Sequence, residues 1–127
     1  MKPDIREYGI GITGTNYIPL NTKWQIEEAL EKIITHVQKL PHVVEKAFVF
    51  LATISYLQPF ADGNKRTARM VSNAILLANG YCPLSYRSVD EVEFKKALIL
   101  FYEQNNLFHL KRIFLEQQQF AIQHYFI

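Results

Sequence analysis

The run from Val43 to Leu57 constrains the fold of this chain more than any other segment. It is apolar nearly all round a helical projection, carries few charges after Lys46, and is stopped by Pro59. A helix of this kind is usually the central, buried one, so other helices must surround it. Because 127 residues suffice for one substantial core but not for two, we expect a single domain spanning residues 1–127.

Four further stretches carry apolar residues at helical spacing. They begin after Thr22, at Asn64, after Asp90 and at Leu107. Two of the starts have the pattern of a capping box, Thr22 with Gln25 and Asp90 with Glu93. The sequence therefore predicts a mainly α fold, a bundle of packed helices.

Residues 9–20 give the only convincing β signal. This segment mixes β-branched and aromatic residues with glycines, which is typical of two short strands around a turn near Thr13-Gly14. We therefore expect a short β-hairpin near the N-terminus of the helical bundle.

Bulk composition excludes several classes of function. A formal net charge of +2 is too small for general nucleic-acid binding, so no nucleic-acid partner is expected. No segment approaches the roughly 20 apolar residues of a membrane span, and no membrane association is expected. The single cysteine, Cys82, cannot form an internal disulfide, which fits a reducing compartment and makes the cytoplasm the default location.

The most informative polar stretch runs from Asp62 to Arg69 and places three cations, Lys65, Arg66 and Arg69, in the first two turns of a helix. Their sign is unfavourable for the helix dipole by roughly 0.3 to 1 kcal/mol each if they are exposed. A bound polyphosphate would offset this cost, with Gly63 allowing close approach of the backbone and the helix N-terminus supplying N–H donors. Asp62 could then hold a magnesium ion that bridges the phosphates.

A simpler interpretation of the same residues stays open at this point. Asp62-Gly63-Asn64 could be an ordinary turn with Asn64 as N-cap, and the cations could pair with carboxylates elsewhere. Phe60, between a proline and a polar turn, is best interpreted as a buried plug.

The segment Gln58-Pro59-Phe60-Ala61-Asp62-Gly63-Asn64-Lys65-Arg66-Thr67-Ala68-Arg69 resembles the signature of the Fic/Doc family, His-x-Phe-x-Asp/Glu-Gly-Asn-Gly-Arg-x-x-Arg. The stretch from Gly14 to Leu20 also looks like the flap of that family, a hairpin over the active site. The resemblance implies a fold of packed helices. It also implies a reaction in which a target hydroxyl attacks a nucleotide phosphate, most often with transfer of AMP from ATP.

The resemblance implies a role for each matching position. Asp62 would bind Mg²⁺, Gly63, Asn64 and Lys65 would form the anion hole, Arg66 would contact the α- and β-phosphates, and Arg69 would reach towards the γ-phosphate. The flap residues Thr15, Asn16, Tyr17 and Ile18 would bind a target protein by strand addition.

The first departure from the family pattern is Gln58, which stands where the family has its catalytic histidine. A carboxamide cannot take a proton near neutral pH, so we expect the chain to bind Mg-ATP but to catalyse poorly. A non-catalytic nucleotide-binding or interaction module is the alternative. Rescue by another histidine is not expected from any of the four in the chain, His36, His42, His109 and His124.

Lys65 is the second departure, since adenylylating members usually carry glycine there. The Asn-Lys-Arg order is associated with Doc-like members that transfer the γ-phosphate, which makes a Doc-like protein kinase an alternative. The flap and Asp62-Gly63 look more Fic-like and favour AMP transfer. No Ser/Thr-x-x-x-Glu-Gly/Asn pattern of an inhibitory helix occurs, so either a partner protein inhibits through Arg69 or a weakened enzyme no longer needs inhibition.

Overall fold

The structure is a computed structural model that describes residues 5–86 and 89–125. Over these residues the chain forms five helices, which confirms the predicted mainly α fold: α1 Lys23–Lys39, α2 Val43–Leu57, α3 Asn64–Ala78, α4 Glu91–Gln104 and α5 Phe108–Tyr125. Within the same ranges, no helix has the length and apolar content that a membrane span requires.

Helix α2 lies at the centre of the molecule, as its apolar sequence predicts. It packs against α1, α3, α4 and α5. Its buried side chains include Phe48, Leu51 and Ile54. A buried hydrogen bond from the Ser72 hydroxyl of α3 to the Ala47 carbonyl, 2.8 Å long, joins the two central helices. Every other helix is therefore positioned relative to α2.

The two predicted capping boxes differ in the structure. Asp90 caps α4, because its side chain accepts a hydrogen bond of 2.8 Å from the backbone N–H of Val92. Thr22 is the N-cap residue of α1 but makes no side-chain cap bond. Its hydroxyl donates instead to the carboxamide oxygen of Gln25 at 2.5 Å. The first helix starts where predicted, without the predicted capping bonds.

The hairpin predicted over residues 9–20 is not formed as paired strands. The chain turns at residues 13–14 as expected, but the flanking segments carry no strand. Glycines at positions 9, 11 and 14 remove the cross-strand side-chain pairs that stabilise a two-stranded ribbon, which is marginal by itself. Tyr17 holds the segment instead, because its hydroxyl donates to the Tyr56 carbonyl at 2.7 Å and its ring stacks on Tyr56.

Arg6 covers the C-terminal end of α2 and is only 2% exposed. Its guanidinium donates hydrogen bonds to the carbonyls of Gln58 (2.6 Å), Tyr8 (2.8 Å) and Leu57 (3.2 Å). Its backbone N–H donates to the Pro59 carbonyl at 3.0 Å. The last carbonyls of a helix lack partners within the helix and carry partial negative charge. A buried guanidinium there donates hydrogen bonds to these carbonyls and interacts favourably with the negative end of the helix dipole.

We predict that Arg6→Ala lowers the free energy of unfolding by roughly 2 to 4 kcal/mol, because buried carbonyls lose charged donors. Urea denaturation with an unchanged m-value measures this loss. Arg112→Ala is the matched control, since Arg112 forms an exposed ion pair with Glu116, four residues away, and should cost about 0.5 kcal/mol or less. Equal losses in the two variants would contradict the role given to Arg6.

Candidate functional site

Gln58 ends the central helix in an unusual backbone conformation. It is the C-cap residue of α2, with φ 51° and ψ 59° in the left-handed region. Non-glycine residues visit this region at a cost, and here the surrounding contacts fix it. The backbone N–H of Gln58 donates to Ile54 at 2.9 Å, while its carbonyl accepts from Arg6. The chain therefore leaves α2 at a defined angle and enters the loop 59–63.

Both ends of the Gln58 carboxamide are hydrogen-bonded. Its Nε2 donates to the Ser55 carbonyl at 2.7 Å, and its Oε1 accepts from Asn64 Nδ2 at 3.1 Å. Burial raises the pKa of the Tyr102 phenol, and a hydrogen bond with Gln58 opposes that rise. The donor role towards Ser55 requires an N–H group, which the amide supplies without carrying a titratable proton.

Asn64 closes the loop through its side chain. It is buried, its Oδ1 accepts from the Phe60 N–H at 2.9 Å, and its Nδ2 donates to the Phe60 carbonyl at 2.8 Å as well as to Gln58. Gly63, with φ 75°, is the N-cap residue of α3, and Asn64 is the first residue of that helix. The N-cap role that the simpler interpretation gave to Asn64 is therefore wrong, because Gly63 holds that position. Phe60 is half-buried and forms an antiparallel bridge with Ile5.

A cleft of about 550 Å³ lies beside this loop. One wall is the loop with the end of α2, the second is the turn segment 10–13, and the third is one face of α4. Five of the predicted site residues line it together: Gln58, Asp62, Gly63, Asn64 and Lys65. The face of α4 contributes Lys95, Leu98, Ile99 and Tyr102.

The chemistry of this cleft fits a nucleotide phosphate with a magnesium ion. The first backbone N–H groups of α3 have no acceptor within the helix, and they begin at the loop that lines the cleft. Asp62 is exposed and lines the cleft. Over the described ranges, no group of three His, Cys, Asp or Glu side chains could hold a metal ion. An ion at Asp62 would therefore complete its shell with phosphate and water oxygens, as Mg²⁺ does.

Arg66 lies against the turn at Gly63. An added Cβ atom on Gly63 would be 2.8 Å from a terminal guanidinium nitrogen of Arg66. Arg66 is exposed and is not among the described residues that line the cleft. In this arrangement it is near the loop but is not part of the cleft wall.

Arg69 faces α4. Its guanidinium lies 4.7 Å from the centre of the Tyr86 ring and 4.4 Å from that of Phe94, both favourable cation–π distances. Glu91 lies 3.6 Å from its Nη2, and neither this buried nitrogen nor the buried Nε has a hydrogen-bond partner among the described residues. The simpler interpretation of the sequence, in which the cations pair with carboxylates elsewhere, is confirmed for Arg69, whose ion-pair partner Glu91 lies in the first turn of α4.

The predicted flap residues lie next to the cleft but do not line it. Thr15 accepts a hydrogen bond from the Tyr17 N–H at 3.1 Å, and the Tyr17 ring lies 5.3 Å from that of Tyr102. Asn16 and Ile18 are exposed, Ile18 by 74%. Docking of a target protein on these residues stays a prediction.

None of the described histidine side chains is placed to act as a base in the cleft. His36 and His42 are exposed, His109 is half-buried, and none of the three lines the cleft. The side chain of His124 lies outside the described residues.

That residues of α4 line the cleft was not predicted from the sequence, although positions 95, 98, 99 and 102 have the spacing of one helical face. That spacing was the available signal, but only the tertiary fold brings this face to the loop.

Comparisons with known sequences point to one family. The model of the Fic/DOC family matches residues 2–76. A protein named "Protein adenylyltransferase Fic" from Nematostella vectensis is 39% identical over 57 residues, which are 45% of this chain and 13% of the relative. A probable protein adenylyltransferase from Aquifex aeolicus is 37% identical over 51 residues, 40% of this chain and 16% of the relative. The chain thus matches only a small part of each of these longer proteins.

A solved structure has a similar fold. It is the crystal structure of the BepC protein from Bartonella tribocorum, a VirB-translocated effector, with bound AMPPNP. The TM-score is 0.68 at 20% sequence identity, and the match covers 85% of this chain and 54% of the other. At this identity the likeness shows a shared fold.

We predict that Gly63→Ala and Gly80→Ala lower the free energy of unfolding by similar amounts, about 1 to 2 kcal/mol each. Both glycines have positive φ, 75° and 81°. A Cβ on Gly80 meets no atom within 4 Å, and the Arg66 guanidinium that opposes a Cβ on Gly63 is the mobile end of a side chain.

Urea denaturation and titration with inorganic pyrophosphate separate stability from anion binding in these variants. Only Gly63→Ala should weaken binding, since only this Cβ crowds the loop. A much larger loss of stability in Gly63→Ala than in Gly80→Ala would show that Arg66 is fixed in place. Unchanged pyrophosphate binding in Gly63→Ala would contradict the role of the loop.

Proposed function

Because the chain belongs to the Fic/DOC family, whose model matches residues 2–76, we propose that it binds Mg-ATP in the cleft beside the loop 61–65. We further propose that it transfers AMP to a protein hydroxyl only poorly. The observation that carries this proposal is the position of Gln58 and the hydrogen bonding of its side chain. This residue lines the cleft, beside Asp62 and the start of α3, as an amide whose donor and acceptor are both engaged.

Three features of the cleft support nucleotide binding. The helix N-terminus with Gly63 offers backbone donors to a phosphate. Asp62 offers a carboxylate for Mg²⁺, and Lys65 adds a positive charge on the same wall. The nucleotide bound in the BepC structure, which has the same fold, is consistent with such a ligand.

Gln58 supports the loss of turnover. Attack by a target hydroxyl on the α-phosphate needs a group that accepts the hydroxyl proton, and a positioned base typically contributes about 10² to 10⁴ in rate. The amide of Gln58 cannot accept a proton near neutral pH, and none of the described histidine side chains lines the cleft. The same amide preserves the loop, because it accepts from Asn64. Binding and turnover are thereby separated.

The relatives support AMP as the transferred group. Two of them are named as protein adenylyltransferases, one being described as probable, and their similarity covers 45% and 40% of this chain. The target would present its hydroxyl from the side of the exposed Asn16 and Ile18, next to the segment that forms one cleft wall.

A second candidate is transfer of the γ-phosphate. Lys65 favours it, because this residue lines the cleft where the adenylylating pattern has glycine. An ammonium and its stem at this position occupy part of the anion hole and could reverse the direction of the bound triphosphate. The identity of the labelled phosphate distinguishes the two reactions.

We predict that Gln58→His raises transfer from ATP by about 10² to 10⁴ over the unsubstituted chain. Each protein is incubated with ATP labelled at the α- or the γ-phosphate and with a lysate that contains candidate targets. Gln58→Ala is the control, because it also removes the hydrogen bonds of the amide but adds no base. Label from the α-phosphate supports AMP transfer, and label from the γ-phosphate alone supports the second candidate.

Two results would contradict the proposal. Comparable labelling by the unsubstituted chain and Gln58→His would show that Gln58 does not limit turnover. If the Gln58→His protein still binds Mg-ATP but labels no target, the absence of a base at position 58 is not the only reason for the low activity.

A further inference from the structure

Lys95 is a cation of the cleft that the motif does not include. It lies on α4, is partly buried, and lines the same cleft as residues 61–65 of the loop. Its Nζ and Cε come within 3.9 and 3.8 Å of the point where a side chain on Gly14 would begin. The turn at residues 13–14 therefore lies against the end of this lysine. Gly14 has φ 89°, and a Cβ there would be in ordinary van der Waals contact with the end of Lys95.

The two motif arginines are not among the described residues that line the cleft. Arg66 lies against Gly63, and Arg69 is held between two aromatic rings and Glu91. The charged residues among the described lining are Asp62, Lys65 and Lys95. Two of these three are cations on different walls, so the field inside the cleft favours an anion.

The charge of Lys95 is not neutralised by its natural neighbour on the helix. Glu91 is four residues earlier on α4, the spacing at which a glutamate usually pairs with a lysine. Here Glu91 lies 3.6 Å from Arg69 instead. Over residues 5–86 and 89–125, Lys95 has no ion pair within 4.0 Å, so its charge is available to a ligand.

We propose that Lys95 binds the phosphate chain of the nucleotide in this cleft, in the part that the motif would assign to Arg69. This rests on the proposed nucleotide binding. The ammonium binds phosphate oxygens as a point charge, opposite the backbone donors at the start of α3. Because Glu91 lies 3.6 Å from Arg69, it forms no ion pair with Lys95. Lys95 thus sets the preference of the cleft for a polyphosphate over an uncharged nucleoside.

Isothermal titration of four proteins with Mg-ATP, AMP and adenosine tests this proposal. The proteins are the unsubstituted chain, Lys95→Met, Lys95→Arg and Lys96→Met. Methionine keeps the apolar stem and removes the charge, while Lys96, the next residue of the same helix, is exposed and does not line the cleft. Thermal unfolding of each protein checks that the fold is retained.

We expect Lys95→Met to weaken Mg-ATP binding by about 10- to 100-fold, the range of a lost charged hydrogen bond. AMP should be affected less, adenosine should be unaffected, and Lys95→Arg should restore most of the affinity. Lys96→Met should bind all three ligands as the unsubstituted chain does.

Several results would overturn the proposal in distinguishable ways. Equal Mg-ATP affinity of Lys95→Met and Lys96→Met would remove Lys95 from the site but leave nucleotide binding intact. Equal losses for Mg-ATP and adenosine in Lys95→Met would make Lys95 part of the wall rather than a phosphate ligand. No binding of any nucleotide to the unsubstituted chain would overturn the proposed function itself, and this inference with it.

Discussion

The buried guanidinium of Arg6 is the interaction on which the site depends. The central helix ends at Leu57, and without Arg6 the carbonyls of Leu57 and Gln58 would lose their charged donors. By donating to Leu57 and Gln58 and pairing its backbone with Pro59, Arg6 fixes both the end of α2 and the start of the loop. The left-handed conformation of Gln58 is held by these contacts, and from there the chain turns towards the start of α3.

The hydrogen bonds of the loop support ligand binding without providing a group for proton transfer. Asn64 binds the loop backbone at Phe60 and the Gln58 side chain, so the loop is shaped before any ligand arrives. The Gln58 amide serves this network as donor and acceptor, whereas proton transfer requires a group that titrates. On helix α4, Glu91 forms an ion pair with Arg69, and Lys95 lines the cleft.

Most of the fold was readable from the sequence because helical periodicity and breakers are local signals. The run from Val43 to Leu57 predicted the central helix, and Pro59 with Asn64 predicted the bounds of the loop. The paired strands over residues 9–20 were predicted wrongly, since strand pairing depends on partners that three glycines do not provide. Arg6 bonds to carbonyls 51 and 52 residues away along the chain, and no local pattern encodes these contacts. Helical spacing groups Lys95 with Leu98, Ile99 and Tyr102, but only the tertiary fold brings this face to the cleft and Glu91 to Arg69.

³¹P nuclear magnetic resonance of ATP, in the presence of Mg²⁺ and the unsubstituted chain, tests most directly whether this cleft binds Mg-ATP with little turnover. We predict that the phosphate resonances shift or broaden on addition of the protein, that a large excess of EDTA reverses this effect, and that neither pyrophosphate nor ADP accumulates. Resonances that stay unchanged at millimolar protein would show that the cleft does not bind the nucleotide. Steady release of pyrophosphate or ADP would show that Gln58 does not prevent catalysis.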